Sequence, residues 1–276
     1  MDRILAATDG SDDAQNALRW AVGLAEATGA ELIVVHTWTP RTSELPPDEF
    51  EQLHGEALAS VDGWAADARA AGVRSRTLAP EGDPREQILP VAAAEDADLV
   101  VIGARGMGGH HHALHLGSVT HHLAHHADRP LAMIPPGSST TWPQPIVVGL
   151  DGSDASLHAL EWALALARES GVGVTAVYAE LPPAEFVPHD DPNSWFQSAT
   201  KSLEEWVAPY VDGDVPLERI VIDQSAGPGL AREVEERRAG LLVTGAHGKG
   251  GITGVRLGGT ALKALHHSAG PVVIVP

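Results

Sequence analysis

The chain has 276 residues, 43% hydrophobic and 20% charged, and its 37 acidic against 18 basic residues give a formal net charge of −19. That length is enough for two ordinary domains with their own cores. So few, unclustered Lys and Arg exclude a protein that works by neutralising nucleic-acid phosphates, and the absence of cysteine excludes disulfides, thiolate metal sites and cysteine catalysis.

In chain order, the apolar run Ile4 to Thr8 predicts a short buried strand. Asp9-Gly10-Ser11-Asp12 is turn and helix-cap chemistry, with Ser11 or Asp12 able to accept from the open helix amides. Ala14, Leu18, Ala21, Leu24, Ala25 and Thr28 recur at helical spacing, and Gly29 suits a left-handed C-cap. Glu31 to Trp38 predicts a second strand, Asp48 to Ala71 one long helix, and Val73 to Ala79 a weaker third strand. Asp83 to Glu95 reads as a helix with Pro84 in its first turn. Leu99 to Ile102 is a fourth strand, Val119 to Ala127 a helix and Leu131 to Ile134 a fifth strand.

The whole pattern then repeats. Ile4-Leu-Ala-Ala-Thr-Asp-Gly-Ser-Asp12 returns as Ile146-Val-Val-Gly-Leu-Asp-Gly-Ser-Asp154, a shift of 142. Trp20 maps onto Trp162, Gly103 onto Gly245 and Gly106 onto Gly248 by the same shift. Beyond that loop the shift falls to 141, so that Gly117 meets Gly258 and Pro130 meets Pro271. Two homologous domains are expected, residues 1–136 and 145–276, joined by a Pro/Ser/Thr-rich linker at 137–144. Alternating strands and helices with short, wholly apolar strands imply in each an α/β fold with a parallel sheet covered on both faces. Ligands of such sheets bind beyond the carboxyl ends of the strands, where Asp9 and Gly103 fall together.

The loop after the fourth strand carries Gly103-x2-Gly106, then ten residues, then Gly117-Ser118 opening a helix. It is no Walker A sequence, but glycines let backbone amides approach an anion, and a helix N-terminus supplies open donors and a favourable dipole. Ser118 and Thr120 add hydroxyls and Arg105 a charge. The second copy repeats the plan as Gly245-Ala-His-Gly248, nine residues, then Gly258-Gly259-Thr260. Taken singly, each loop reads better as a turn that needs glycine to fold, and it is the recurrence that strengthens the binding reading.

At these residues, with the DGS after the first strand and the HHA or HHS near the end of the last helix, the sequence resembles the universal stress protein family in its tandem form. The resemblance covers both halves almost end to end. It implies two repeated Rossmann-like domains of the adenine nucleotide alpha hydrolase-like type, each a five-stranded parallel sheet in the order 3-2-1-4-5, and ATP bound at the glycine motif. By that resemblance Asp9 meets the adenosine end and Val35 flanks the base, while Gly103, Arg105, Gly106, Gly117, Ser118, Val119 and Thr120 surround ribose and phosphates. In the second half the matching positions are Asp151, Val177, Gly245, His247, Gly248, Gly258, Gly259 and Thr260. It further implies Mg²⁺ beside the ATP, an internal pseudo-dimer of the two halves through their fifth strands, and a homodimer of such chains.

Each half departs from the family pattern once: the first has one extra residue between Gly106 and Gly117, and the second carries Gly259 where Ser or Thr is expected. Losing that hydroxyl removes about 0.5–1.5 kcal/mol if it bonded a neutral partner. At least one site is expected to bind.

Eight of the fifteen histidines lie between His110 and His126. His121/His125 and His122/His126 have a spacing that can place two imidazoles on one metal, but His125-His126 recurs as His266-His267 and belongs to the repeated pattern, and His110, His111, His112 and His115 have no acidic ligand beside them. No metal site is assigned. Trp20 and Trp162 are expected in the core, Ser11 and Ser153 as caps, and Glu233 to Glu236 on a solvated helix face. With no general base in view, no catalytic residue is assigned either. No apolar run approaches the ~20 residues of a membrane span, and MDRILAATDG holds no leader pattern. The expectation is a cytoplasmic, nucleotide-responsive regulator of stress or dormancy, with no nucleic-acid or membrane partner. Two alternatives stay open: a nucleotide-free scaffold of the same fold, and a slow ATPase or phosphotransferase.

Overall fold

A computed structural model describes residues 1–40, 46–106, 116–181, 192–249 and 257–276. It divides into two compact units, Met1–Trp142 and Pro143–Pro276.

In the first unit the strands are β1 (Arg3–Ala7), β2 (Glu31–Val35), β3 (Ser75–Leu78), β4 (Leu99–Gly103) and β5 (Leu131–Ile134). The helices are α1 (Asp12–Thr28), α2 (Pro47–Trp64), α3 (Ala66–Ala70), α4 (Pro84–Ala94) and α5 (Ser118–His126). All strands run parallel, in the order β3-β2-β1-β4-β5. The chain reverses its direction of winding at β1, which pairs Ala7 with both Val35 of β2 and Ile102 of β4. This is the switch point at which parallel sheets open a cleft. Leu5, Ile33, Val100 and Met133 are fully buried, as strands covered on both faces require.

The second unit repeats the plan. Its strands are β6 (Ile146–Leu150), β7 (Val174–Ala179), β8 (Leu217–Ile222), β9 (Leu241–Gly245) and β10 (Val272–Val275), and its helices α6 (Asp154–Ser170), α7 (Pro192–Val207), α8 (Ala226–Arg237) and α9 (Gly259–His267). A single 3₁₀ turn, Ala208–Tyr210, follows α7. The order is β8-β7-β6-β9-β10, again all parallel. At Gly149 of β6 an added Cβ would meet Leu230 of α8, and at Gly245 of β9 it would meet Ala155 of α6, so α6 and α8 cover opposite faces of the sheet.

The helix signals work as the sequence suggests. Ser11 Oγ accepts the amide of Ala14, Ser153 Oγ that of Ser156, and Gly29 and Gly171 close α1 and α6 in the left-handed conformation. Trp20 is fully buried and meets Trp142 edge-on, centroids 5.5 Å apart, whereas Trp162 is only half-buried. The Pro/Ser/Thr-rich stretch therefore does not hang free: its indole docks on α1, and the Thr140 carbonyl lies 2.7 Å from where Gly23 would carry a Cβ.

Three local expectations change. The single helix expected over 48–71 is broken at Ala65, which turns to φ −80° and ψ 3° and separates α2 from α3, so that Ala65 and Ala68 are both fully buried. The second strand stops at Val35, and extended pairing returns only as a bridge between Trp38 and Glu81. Glu233 is not on a solvated face. It is 8% exposed and accepts from Arg237 Nε at 3.0 Å, while Glu235 and Glu236 are exposed. Leu230, Glu233, Val234 and Arg237 share one helix face by their i, i+3, i+4, i+7 spacing, and that face is the inner one. Among the described residues no helix is long and apolar enough to cross a membrane.

Candidate functional site

Both units build the same arrangement where β1 or β6 ends. In the first, Asp9 Oδ1 accepts the amide of Ser11 at 3.0 Å and so fixes the turn that feeds α1. The loop after β4 comes back over this carboxylate: a Cβ on Gly106 would stand 2.6 Å from Asp9 Oδ2. Gly117 then donates its amide to the Ala104 carbonyl at 2.9 Å and lies against the Arg105 backbone. Val35 sits on the neighbouring strand end, where its carbonyl accepts the Thr8 amide at 2.9 Å. Asp9, Val35, Gly103, Arg105, Gly106 and Gly117 are thus brought together. Ser118 stands exposed at the start of α5, and Val119 is half-buried behind it.

Two residues of this group are already engaged. Arg105 Nε lies 3.6 Å from Asp13 Oδ2 in the first turn of α1. Thr120 donates its buried hydroxyl to the Gly103 carbonyl at 2.8 Å, tying α5 to the end of β4. That hydroxyl is a structural link between helix and strand, not a free donor. His110, His111, His112 and His115 lie outside the described residues. His121/His125 and His122/His126 pair along α5 with ring centroids 4.6 Å and 4.2 Å apart, and in the second pair His126 Nδ1 bonds the His122 carbonyl. Burial and the neighbouring imidazoles hold His125 below the ordinary histidine range.

In the second unit the corresponding residues line a cleft of about 380 Å³. Asp151, Val177, Gly245, His247, Gly248, Gly258, Gly259 and Thr260 all lie on its wall, joined by Gly149, Leu150, Leu230 and Leu257 on the apolar side. Asp151 Oδ1 accepts from Ser153 N at 3.0 Å and Ser153 Oγ at 2.6 Å, and Oδ2 accepts from Lys249 N at 2.8 Å. Burial by itself would raise this carboxyl, but the bonds from Ser153, Lys249 and Ser156 outweigh it and hold Asp151 below the usual carboxylate range. It is therefore an anion at neutral pH, and the one carboxylate on the cleft wall among the described residues. On the same cleft, α9 starts at Gly258, whose amide donates to the Ala246 carbonyl at 2.7 Å, with no side-chain cap over the first turn. That turn lines the cleft through Gly259 and Thr260, and an added Cβ on Gly259 would meet nothing within 4 Å among the described residues. The arrangement offers a carboxylate acceptor, apolar side chains and the uncapped first turn of a helix around one cleft.

Some participants are not among the sequence candidates. Trp64 and Trp206 pack onto Gly10 and Gly152, the glycines of the two DGS turns, where φ is +80° and +75° and an added Cβ would strike the indole. The same indoles meet His36 and Tyr178 edge-on at 5.0 Å and 4.8 Å. Lys249 Nζ lies 4.5 Å from the Trp206 ring centre. The repeat carried the signal, since both Trp64/Trp206 and His36/Tyr178 stand 142 apart. Thr244 and Lys263, also on the cleft wall, gave none, because their counterparts in the first copy, Ile102 and His122, are of different chemical types.

Comparison with known proteins agrees with this doubled plan. Residues 1–135 and 143–276 each match the model of the universal stress protein family. The chain is similar over 98% of its length to a universal stress protein of Mycobacterium tuberculosis strain CDC 1551, at 30% identity and 95% of that relative. Another from Mycolicibacterium smegmatis is 26% identical over 99% of this chain and 96% of the relative. Among solved structures, a universal stress protein from Archaeoglobus fulgidus shares the fold with a TM-score of 0.74 at 19% identity, covering 99% of this chain and 97% of that one. Two matches to one family model, together spanning nearly the whole chain, settle its kinship: it belongs to the universal stress protein family.

Proposed function

We propose that the chain binds ATP, accompanied by Mg²⁺, and acts as a nucleotide-responsive regulator of stress or dormancy rather than as an enzyme. The observation that carries this reading is the cleft of the second unit, which all eight residues expected there line.

The residues fit the group. Gly248 has no room for a Cβ against Asp151, and a Cβ on Gly258 would press to 3.1 Å from the Ala246 carbonyl, so a bare-backbone cradle is built into the loop. The open first turn of α9, with the Thr260 hydroxyl, would hold phosphates, which the helix dipole favours. Asp151, ionised, accepts a hydrogen bond from a sugar hydroxyl or base amine, and Val177 offers the base an apolar surface. Mg²⁺ would travel on the phosphates. ATP supplies negative charge and a state that reports cellular energy. The chain supplies a site for it.

The test is calorimetry of MgATP against the full chain after any bound nucleotide has been stripped. Micromolar binding at one or two molecules per chain is expected. Absence of saturable binding by the folded protein would contradict the reading.

A further inference from the structure

Three features of the second unit converge on one place that the glycine cradle does not explain. Thr244 of β9 is 3% exposed, and among the described residues its Oγ1 has no hydrogen-bond partner although it lines the cleft. A buried hydroxyl left unbonded is costly, and its usual explanation is a ligand or ordered water. Beside it, α8 begins at Ala226 under Ser225, which makes no side-chain cap. Pro228 has no N–H and Gly229 already donates to the Ser225 carbonyl, so the open donors of that turn are the amides of Ala226 and Gly227. The two helices touch here, for a Cβ on Gly227 would collide with the stem of Lys263 on α9. Lys263 lines the same cleft, and no carboxylate pairs with it among the described residues.

We infer that the second unit holds an anion subsite between the first turns of α8 and α9, completed by Thr244 and Lys263, which takes a phosphoryl group. It rests on the proposed function only for the identity of the carrier, the distal phosphate of the nucleotide. Two uncapped helix N-termini and an ammonium favour an anion, and the Thr244 hydroxyl can donate a charge-assisted bond to a phosphate oxygen. The first unit has lost or never had this subsite. Its α4 is capped by Asp83, whose Oδ1 accepts the Arg85 amide at 2.9 Å and whose carboxyl Arg85 pulls down to about 2, with Pro84 at the first position. A fixed carboxylate occupies the place of the anion, Ile102 replaces the hydroxyl, and His122 replaces the lysine.

The experiment is calorimetry on the stripped full chain with ATP, AMP and inorganic phosphate, for wild type, Lys263→Gln and Thr244→Val, with melting curves to establish folding. Wild type should prefer ATP over AMP, and Lys263→Gln should weaken ATP roughly tenfold while changing AMP less than about twofold, the loss of one charge-assisted contact. Thr244→Val should narrow the same ratio, and Thr244→Ser should restore it. Inorganic phosphate should raise the melting temperature of wild type and not of Lys263→Gln. An ATP-to-AMP ratio unchanged in both folded variants overturns the subsite, even with nucleotide binding intact. Phosphate binding that needs Lys263 in a protein that binds no nucleotide upholds the subsite and sinks the nucleotide reading instead.

Discussion

Asp151 and Gly248 are in contact across the mouth of the second unit's cleft: the carboxylate accepts the amide of the next residue, Lys249, at 2.8 Å, and leaves no space above Gly248 for a Cβ. The end of β6 and the loop after β9 are locked to each other by this one approach. The first unit has the same relationship between Asp9 and Gly106. The aspartate of the DGS turn and the second glycine of the loop are therefore one device, and each explains why the other is there.

Gly248→Ala must displace the Asp151 carboxylate or the loop amides. It should cost about 1–3 kcal/mol of stability, as overpacking of a filled site does. Nucleotide binding in the second unit should be lost at the same time. Thermal unfolding and calorimetry on one preparation check both, and a variant that binds as wild type would show that the loop is not the cradle.

The depressed carboxyl of Asp151 predicts a pH dependence. Its folded value lies below the 3.8 of a free aspartate, so ionisation stabilises the fold above that pH, and the contribution is lost as pH falls through the folded value. Asp151→Asn should cost about 1–3 kcal/mol at neutral pH by weakening bonds to a charged acceptor. The gap between variant and wild type should close below about pH 4. Chemical denaturation of the pair across that range measures it.

Thr120 separates a structural from a binding role. Thr120→Val leaves the Gly103 carbonyl without its 2.8 Å donor and should destabilise the first unit by about 1 kcal/mol. Binding should not change, since the hydroxyl is already committed. Affinity falling without any loss of stability would return Thr120 to the ligand.

Gly152→Ala places a side chain at φ +75° and against Trp206, a combination of backbone strain and collision. A loss of about 1–3 kcal/mol is expected, with a shift in tryptophan emission as the indole moves. Gly10→Ala should do the same through Trp64.

Much of this was legible in the residues. The 142-residue shift exposes the duplication, and short apolar strands alternating with capped helices point to a parallel sheet with its expected cleft past β1 and β4. The eight second-unit candidates needed no structure to be chosen. What sequence could not disclose was which polar groups are already satisfied. Thr120 looks like a ligand until its hydroxyl is seen on Gly103, and Glu233 looks solvated until its face is seen to point inward beside Val234. Thr244 and Lys263 were hidden for the opposite reason, because a repeat highlights what two copies share and these are where they differ.

The central claim is most directly tested by a crystal structure of the chain grown with MgATP. The account predicts a nucleotide in the second unit's cleft, its phosphates on the amides from Gly258 to Thr260 and its sugar or base bonded to Asp151. A cleft that stays empty in a protein saturated with ATP in solution, or a nucleotide bound away from these residues, would contradict it.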